Sequence, residues 1–313
     1  MRTLSRRTFL TTTAAAIAIA RQRALRASPY NWPIGFQIFP LRMLIDKDFP
    51  GTMKLVAEAG FQTIELLSPW YSKHNFGLAD MERYTGAQIV KILGDLGLKA
   101  TGAHVDMTEC RGEELPRIIQ WAKDRGLNQI CVPSLDGPQN GTLDDVKRLS
   151  DEYNRAGERS QRAGLKQGLH TEGFELATIA GKRVFDHMLD GLIDPRYVRF
   201  QFQISTISRG LDPVTYFNKY PGRFISMHLQ DVDLTPQPAA PPAPAPAAGE
   251  AQAGGRAGRG GRGNTTQRAI GKGSVDWKAV FTAAKTGGVE NYYVEQSLEL
   301  AREGVPFLKQ LTV

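Results

Sequence analysis

Between Ile34 and Val313, two kinds of pattern follow each other in turn. Short runs, either apolar throughout or alternating apolar and polar residues, are separated by longer amphipathic stretches. The short runs are typical of β-strands, and the stretches with apolar residues three or four apart are typical of helices. Several helical stretches end at a glycine just before the next strand, namely Gly60, Gly97, Gly126, Gly164 and Gly288, which is a usual helix stop signal. The predicted strands are Ile34–Pro40, Thr63–Ser68, Lys99–Val105, Gln129–Ser134, Lys166–Glu172, Val198–Ser205, Phe224–Gln230 and Asn291–Ser297.

Eight strands, each followed by a helical stretch, indicate a parallel sheet, and eight is the number of strands that closes a barrel. The alternative is an open doubly wound sheet, which would carry a glycine-rich phosphate-binding turn after an early strand. No such turn is present in the sequence. We therefore predict an α/β protein, with a single (β/α)8 TIM barrel over 28–313.

One segment, 233–268, breaks the alternation of strands and helices. Ala, Gly and Pro make up 22 of its 36 residues, and its second half is rich in Gly and Arg. Such a composition cannot bury enough apolar surface to offset the entropy of ordering. We predict a disordered loop inserted after strand seven, on the face of the barrel where a catalytic site would lie.

The formal charge of +7 comes from the N-terminal residues 1–27 and the inserted segment 233–268 rather than from the barrel. Residues 1–27 contain six Arg and no acid, and 233–268 contain four Arg against two acids. Taking these away from 39 basic and 32 acidic residues leaves 29 basic and 30 acidic residues. The charge thus gives no reason to expect a nucleic-acid partner. Two cysteines, Cys110 and Cys131, are too few for a disulfide framework.

The N-terminus has the pattern of an export signal. The string SRRTFL (5–10) precedes a weakly apolar run from Thr11 to Ala20, and further arginines follow. This arrangement resembles the bacterial twin-arginine signal. We therefore expect a signal peptide over 1–27, a periplasmic location, and no membrane contact beyond the signal.

Polar side chains fall at the carboxyl ends of most predicted strands, where a (β/α)8 barrel builds its site. His170 and Glu172 share a face, since side chains alternate along a strand. Unpaired polar groups inside a barrel are costly, so their convergence predicts a polar cavity with one divalent metal. The oxygen and nitrogen donors suit Mn²⁺, Mg²⁺, Zn²⁺ or Co²⁺. These strand-end groups are Gln37, Glu65, His104, His170, Glu172, Gln201, Gln203, His228, Gln230, Asp231 and Glu295.

Several strings, in this order and spacing, resemble the sugar phosphate isomerase/epimerase family of xylose-isomerase-like TIM barrels. They are GFQIFPLR (35–42), DFPGTMKLVAEAGFQTIEL (48–66), GLKATGAH (97–104), HTEGFE (170–175), YPGRFISMHLQD (220–231), GKGSVDW (271–277) and YYVEQS (292–297). The sequence departs from the family pattern at four places. Glu172 stands at the second His of an HNHDFE-like string, Gln203 at an Asp, Gln230 at the Lys of HLKD, and Lys272 at the Glu of GEG.

The resemblance implies one divalent metal held by side chains from strands five to eight. Carried over residue by residue, the predicted ligands are Glu172, Gln203, His228 and Glu295. His170 competes with Glu172 for the strand-five role, and we favour Glu172 as ligand with His170 as proton carrier or second ligand. A neutral amide is a weak ligand for a hard cation, so Gln203 should lower the affinity for the metal. The predicted catalytic residues are His170, Glu172, Glu295, His104 and Glu65.

The activity that the resemblance implies is that of a metal-dependent sugar isomerase or epimerase, which removes a proton next to a carbonyl through a metal-stabilised enediolate. The same chemistry could serve β-elimination from a 3-keto-glycoside, which would make the protein a lyase or hydrolase. A non-catalytic sugar-binding barrel is a third reading, given the four departures. The expected partner is a small-molecule sugar or glycoside, and a homo-oligomer is left open.

Overall fold

The computed structural model describes residues 28–138, 140–235 and 266–313. Within these ranges, eight parallel strands close into a barrel, which confirms the predicted TIM barrel. The predicted signal peptide over 1–27 and the centre of the predicted loop lie outside the described residues. The barrel strands are β1 (Gly35–Gln37), β2 (Thr63–Leu67), β3 (Lys99–His104), β4 (Gln129–Val132), β5 (Lys166–His170), β6 (Val198–Gln203), β7 (Phe224–Leu229) and β8 (Asn291–Val294).

A helix follows each strand and covers the outside of the barrel. These helices are α1 (Phe49–Glu58), α2 (Gly86–Asp95), α3 (Glu114–Lys123), α4 (Leu143–Arg162), α5 (Val184–His187), α6 (Pro213–Lys219), α7 (Trp277–Gly287) and α8 (Leu298–Gln310). Short helices also occupy Arg42–Ile45 and Pro69–Lys73 in the first two strand-to-helix connections. No helix in the described ranges is long and apolar enough to cross a membrane.

The helix ends carry the signals that the sequence pattern predicts. At the start of α2, the Thr85 hydroxyl accepts a hydrogen bond from the main-chain N–H of Gln88. In return, the side-chain oxygen of Gln88 accepts one from the main-chain N–H of Thr85. Thr142 and Asp145 form the same reciprocal cap on α4. Both caps satisfy N–H groups that the first helical turn leaves unpaired. All five predicted stop glycines have positive φ, between 68° and 100°, a conformation that other residues adopt at a cost.

The main apolar core lies between the barrel and its helices. Phe200, Phe202, Phe217 and Phe224 are fully buried, and their rings meet edge to face or tilted between β6, β7 and α6. The inside of the barrel is different, because its carboxyl-terminal half is filled with buried polar side chains. The apolar packing between the barrel and its helices therefore stabilises the fold. The polar groups lie at the end of the barrel where the strand-to-helix loops begin.

Two small antiparallel ladders lie in the loops at that end. Thr178–Ile179 pairs with Lys182–Arg183 in the connection after β5. Asp231–Val232 pairs with Gln267–Arg268, so the two ends of the predicted loop 233–268 are joined by main-chain hydrogen bonds. The Asp233 amide continues this pairing by donating to the Thr266 carbonyl over 2.9 Å.

Candidate metal centre

The register of the strands sorts the polar side chains into two layers inside the barrel. Glu65 is level with Gly102, whereas His104 lies two residues further along β3. Gln201 is level with Ser226, and Gln203 is level with His228 one layer further out. We call Glu65, Gln201 and Ser226 the inner layer, and His104, Gln203, His228 and Glu295 the outer layer. His170 is level with Gln201 but contacts the His228 ring, so we group it with the outer layer.

The inner layer is a closed hydrogen-bond network. The Gln201 amide nitrogen donates to Glu65 Oε1 over 2.7 Å and to Ser226 Oγ over 3.0 Å. The Gln201 oxygen accepts from His104 Nε2 at 2.6 Å. The second oxygen of Glu65 lies 2.5 Å from His228 Nε2. Glu65 and Gln201 are fully buried, so this network supplies the partners that water would otherwise provide.

The outer layer gathers around Glu295, which follows β8. Its Oε2 accepts hydrogen bonds from the Gln203 amide at 2.8 Å and from the Gln230 amide at 3.0 Å. His228 Nδ1 lies 3.3 Å from the same oxygen. The His170 ring lies 4.7 Å from the His228 ring, centre to centre. Donor atoms of His170, His228 and Glu295 all fall within 4.8 Å of one another.

Several buried nitrogen and oxygen atoms of the outer layer form no hydrogen bond with the residues that the structure describes. They are both ring nitrogens of His170, Nδ1 of His228 and Oε1 of Gln203. Leaving a buried polar atom unsatisfied costs about 1–3 kcal/mol, so four such atoms in one place require an explanation. A divalent cation supplies one, because imidazole nitrogen, amide oxygen and carboxylate oxygen are all metal ligands. The residues present therefore fit a metal.

The charges around His228 favour its protonated form in the metal-free protein. Although burial opposes the charge, Glu65 and Glu295 together raise the pKa of His228 to about 10. Burial alone would raise the pKa of Glu65, but His104 and His228 hold it below its ordinary value. The pKa of Glu295 is also lowered, against burial, mainly by His228. Both carboxylates are thus ionised and able to bind a cation.

The other two histidines of the cluster are neutral. Burial lowers the pKa of His104, and the opposing charge of Glu65 does not restore it. Burial, together with His228 and His104, lowers the pKa of His170 well below its ordinary value. A neutral imidazole offers a lone pair to a metal at neutral pH without first losing a proton.

The structure brings together three of the four predicted metal ligands, Gln203, His228 and Glu295. It places His170, the competing strand-five residue, beside them. Glu172 lies beyond the end of β5 with a side chain 36% exposed, and its carboxylate is 4.0 Å from His170 Nδ1. Of the other residues predicted as catalytic, Glu65 contacts His228 Nε2, on the side of the ring away from Glu295, and the His104 ring stacks on the His228 ring with 5.0 Å between centroids.

Sequence reasoning missed what several strand-end groups do. Asp231, one of the strand-end groups, is fully buried. It accepts hydrogen bonds from the amides of Gly271 and Gly273 and from Trp277 Nε1. Glu175, not singled out at all, joins the loops after β4 and β5 by accepting from the Leu135 amide and the Ser134 hydroxyl. For Asp231, the signal in the sequence was the string GKGSVDW, in which two glycine amides and a tryptophan N–H lie close together and can share one acceptor.

Comparison with known proteins supports the fold. No protein-family model matches the chain, and no curated protein matches it by sequence. Among solved structures, a sugar phosphate isomerase/epimerase from Parabacteroides distasonis is 21% identical with a TM-score of 0.65, covering 91% of this chain and 94% of that one.

Two other solved structures are similar at lower identity. A probable 3-DHS dehydratase from Bacillus anthracis is 14% identical, with a TM-score of 0.60 and coverage of 88% and 98%. An IolI protein with a bound zinc atom is 13% identical, with a TM-score of 0.58 and coverage of 89% and 94%. At these identities the likeness shows the fold alone, a closed (β/α)8 barrel.

Proposed function

We propose that the protein is a metal-dependent isomerase or epimerase of sugars. The single observation that carries this proposal is the set of buried atoms without a hydrogen bond on His170, Gln203 and His228, gathered around the ionised Glu295, which pairs with His228 Nδ1 over 3.3 Å at the carboxyl end of the barrel. That end is where (β/α)8 enzymes bind their substrates. The neighbours in structure, one of them with zinc bound, support the same reading.

The donors that would hold the metal are His170, His228 through Nδ1, and Glu295, with the Gln203 oxygen as a fourth. When bound, a divalent metal would polarise a carbonyl group and so make the neighbouring C–H bond more acidic. Gln203 and Gln230 both donate to Glu295, which fixes the direction of its carboxylate. This assignment replaces Glu172 by His170 in the ligand set that the family resemblance implies.

With His170 in the ligand set, Glu172 would act on the substrate rather than on the metal. Its half-exposed carboxylate lies at the rim, beside His170, with two barrel strands, β6 and β7, between it and Glu295. A carboxylate in this position can remove a proton from the carbon next to a carbonyl, and a group on the Glu295 side can return one. Removal and return on different faces give epimerisation, and transfer to the neighbouring carbon gives isomerisation.

The test measures metal binding and proton exchange on the same preparations. Purified protein is stripped with a chelator and titrated with Zn²⁺, Mn²⁺, Co²⁺ and Mg²⁺ by calorimetry. It is then incubated with a panel of keto and aldo sugars in D2O, and deuterium next to the carbonyl is followed by NMR. We expect metal-dependent deuterium incorporation that His228→Ala abolishes. Metal binding without exchange on any sugar would leave a sugar-binding barrel, and absence of metal binding would refute the proposal.

β-Elimination from a 3-keto-glycoside is the second candidate. It begins with the same proton removal, and one of the similar structures is a probable dehydratase, a class of enzyme that eliminates water. A 3-keto-glycoside in the same D2O experiment separates the two activities. Release of the aglycone favours elimination, whereas deuterium incorporation with the glycosidic bond intact favours epimerisation.

A further inference from the structure

We propose that Glu65 is a positioning residue, which holds the His228 ring so that Nδ1 faces the metal, and that it is neither a metal ligand nor a group that touches substrate. This inference rests on the metal centre of the proposed function. It concerns the hydrogen bond of 2.5 Å between His228 Nε2 and Glu65 Oε2, on the side of the ring away from Glu295.

Two groups of residues that could hold a metal share His228. They differ in how many of their nitrogen and oxygen atoms are already hydrogen-bonded. Glu65, His104 and His228 form the first set, and His170, His228 and Glu295 form the second. In the first set, Glu65 is bonded to His228 and Gln201, and His104 is bonded to Gln201. The unpartnered nitrogens belong to the second set. The first set is therefore tied together by hydrogen bonds between protein groups, whereas the second contains His170, whose two ring nitrogens have no hydrogen-bond partner among the described residues.

The carboxylate of Glu65 decides which nitrogen of His228 carries the proton. An imidazole that donates Nε2–H to a carboxylate keeps that proton, and its other nitrogen, Nδ1, is left to bind a metal. The negative charge also makes the imidazole a stronger donor to the metal. Such partners of ligating histidines typically account for a factor of 10–100 in metal affinity.

Gln201 accounts for the direction of the Glu65 carboxylate. Its amide nitrogen donates to Glu65 and Ser226, while its oxygen accepts from His104. An amide can donate to a carboxylate through its nitrogen and accept from an imidazole through its oxygen, which a carboxylate at the same position cannot do. A carboxylate at position 201 would face Glu65 directly and repel it. A glutamine at this position on β6 thus has a definite role in the network.

The experiment compares Glu65→Gln with a matched control, Glu175→Gln. Both replace a fully buried carboxylate by its amide, but Glu175 bonds to loop groups at Ser134 and Leu135 and to no histidine. In Glu65→Gln the new amide cannot accept from both Gln201 and His228, so one hydrogen bond is lost. Titration of metal-free protein with Zn²⁺ should give one site per chain, 10–100-fold weaker in Glu65→Gln and within about threefold of wild type in Glu175→Gln.

Proton NMR of the zinc-loaded protein, labelled with ¹⁵N-histidine, gives a readout that a loss of stability would not mimic. The chain has only five histidines, so His228→Ala assigns the signal. We expect a far-downfield Nε2 proton for His228 in wild type and in Glu175→Gln, and its loss in Glu65→Gln. Should Glu65→Gln not fold, Glu65→Asp keeps the charge but shortens the side chain, and should shift the same resonance upfield.

The outcomes are separable. Two zinc ions per chain would make Glu65 a ligand and overturn the inference while keeping the metal centre. Unchanged affinity in Glu65→Gln, or no downfield proton in wild type, would also overturn it and leave the proposed function standing. If wild type binds no metal at all, the proposed function fails, and this inference fails with it.

Discussion

Gln203 is the residue in which the site departs most from a charged metal centre. Its amide nitrogen donates to Glu295, and its oxygen is buried with no hydrogen-bond partner in the described ranges. As a ligand it contributes no charge, which leaves Glu295 as the single anionic ligand among the four donors. The affinity of a site for a hard cation rises with the number of charged ligands.

Glu in place of Gln203 should therefore tighten metal binding. We expect Gln203→Glu to lower the dissociation constant for Mn²⁺ about tenfold, since a second carboxylate would then bind the metal. Gln230→Glu is the matched control, because Gln230 also donates to Glu295 but its oxygen already accepts from Gln267. Calorimetric titration of both variants measures the difference. Equal effects would mean that charge alone acts and that Gln203 is not a ligand.

At this scale the sequence could predict which residues lie at the site, but not which of two neighbouring residues binds the metal. His228 and Glu295 could be predicted because they end barrel strands in a recognised order. His170 and Glu172 share a face of an ideal strand, so alternation could not separate them. The structure separates them because β5 ends at His170 and the chain bends at 171–173. The depth of Glu65 could not be predicted, since it depends on the stagger between β2 and β3, which a linear pattern does not contain.

Among the elements, the loops after β4 and β5 depend on one buried carboxyl group. Glu175 accepts hydrogen bonds from Leu135, Ser134 and Gly173, yet burial raises its pKa from 4.5 to about 7. Between these two values the folded chain holds a proton that the unfolded chain has released. This contribution to stability is full below pH 4.5 and is lost as pH rises through 7.

We expect this to appear as a difference between wild type and Glu175→Gln in urea unfolding. The free energy of unfolding of wild type, relative to the variant, should fall by up to about 3 kcal/mol between pH 4.5 and 7.5. The variant has no proton to lose at this position, so groups common to both chains cancel. Parallel stability curves across this range would show that Glu175 does not titrate there.

The elements themselves were the most predictable part of the chain. Each of the eight strands and each stop glycine follows from local signals, because strand alternation and helix caps involve residues close in sequence. The role of Asp231 does not, since its partners lie 40 to 46 positions away at Gly271, Gly273 and Trp277. Long-range hydrogen bonds of this kind form only when the barrel closes, so they cannot be predicted from residues that are close in sequence.

At the scale of the whole molecule, the N-terminal segment should direct the folded barrel out of the cytoplasm. This prediction rests on Arg6 and Arg7 ahead of a weakly apolar run. Replacing both by Lys should leave the protein in the cytoplasmic fraction, while wild type should appear in the periplasmic fraction. Replacing Arg21 and Arg23, which lie after the apolar run, is the control and should leave export intact. Export of the double Lys variant would contradict the twin-arginine interpretation.

A second question at this scale is how much the segment 236–265, inserted between β7 and α7, contributes to the stability of the chain. The ladder of Asp231–Val232 with Gln267–Arg268 brings the two ends of the insertion together. The ladder also reaches the site, because Gln267 donates to Gln230, which in turn donates to Glu295. An Asn-Gly turn in place of 236–265 would keep this ladder and these contacts.

We therefore expect the shortened chain to melt within a few degrees of wild type, or slightly higher. Loop closure entropy grows only with the logarithm of loop length, so shortening the loop is worth about 2 kcal/mol at most. Zinc affinity should stay within about threefold of wild type, because Glu295 keeps both of its amide donors. Calorimetric melting and zinc titration measure the two quantities separately. A drop of ten degrees would show that 236–265 packs on the barrel, whereas intact stability with weakened zinc binding would show that the insertion itself contributes to the metal centre.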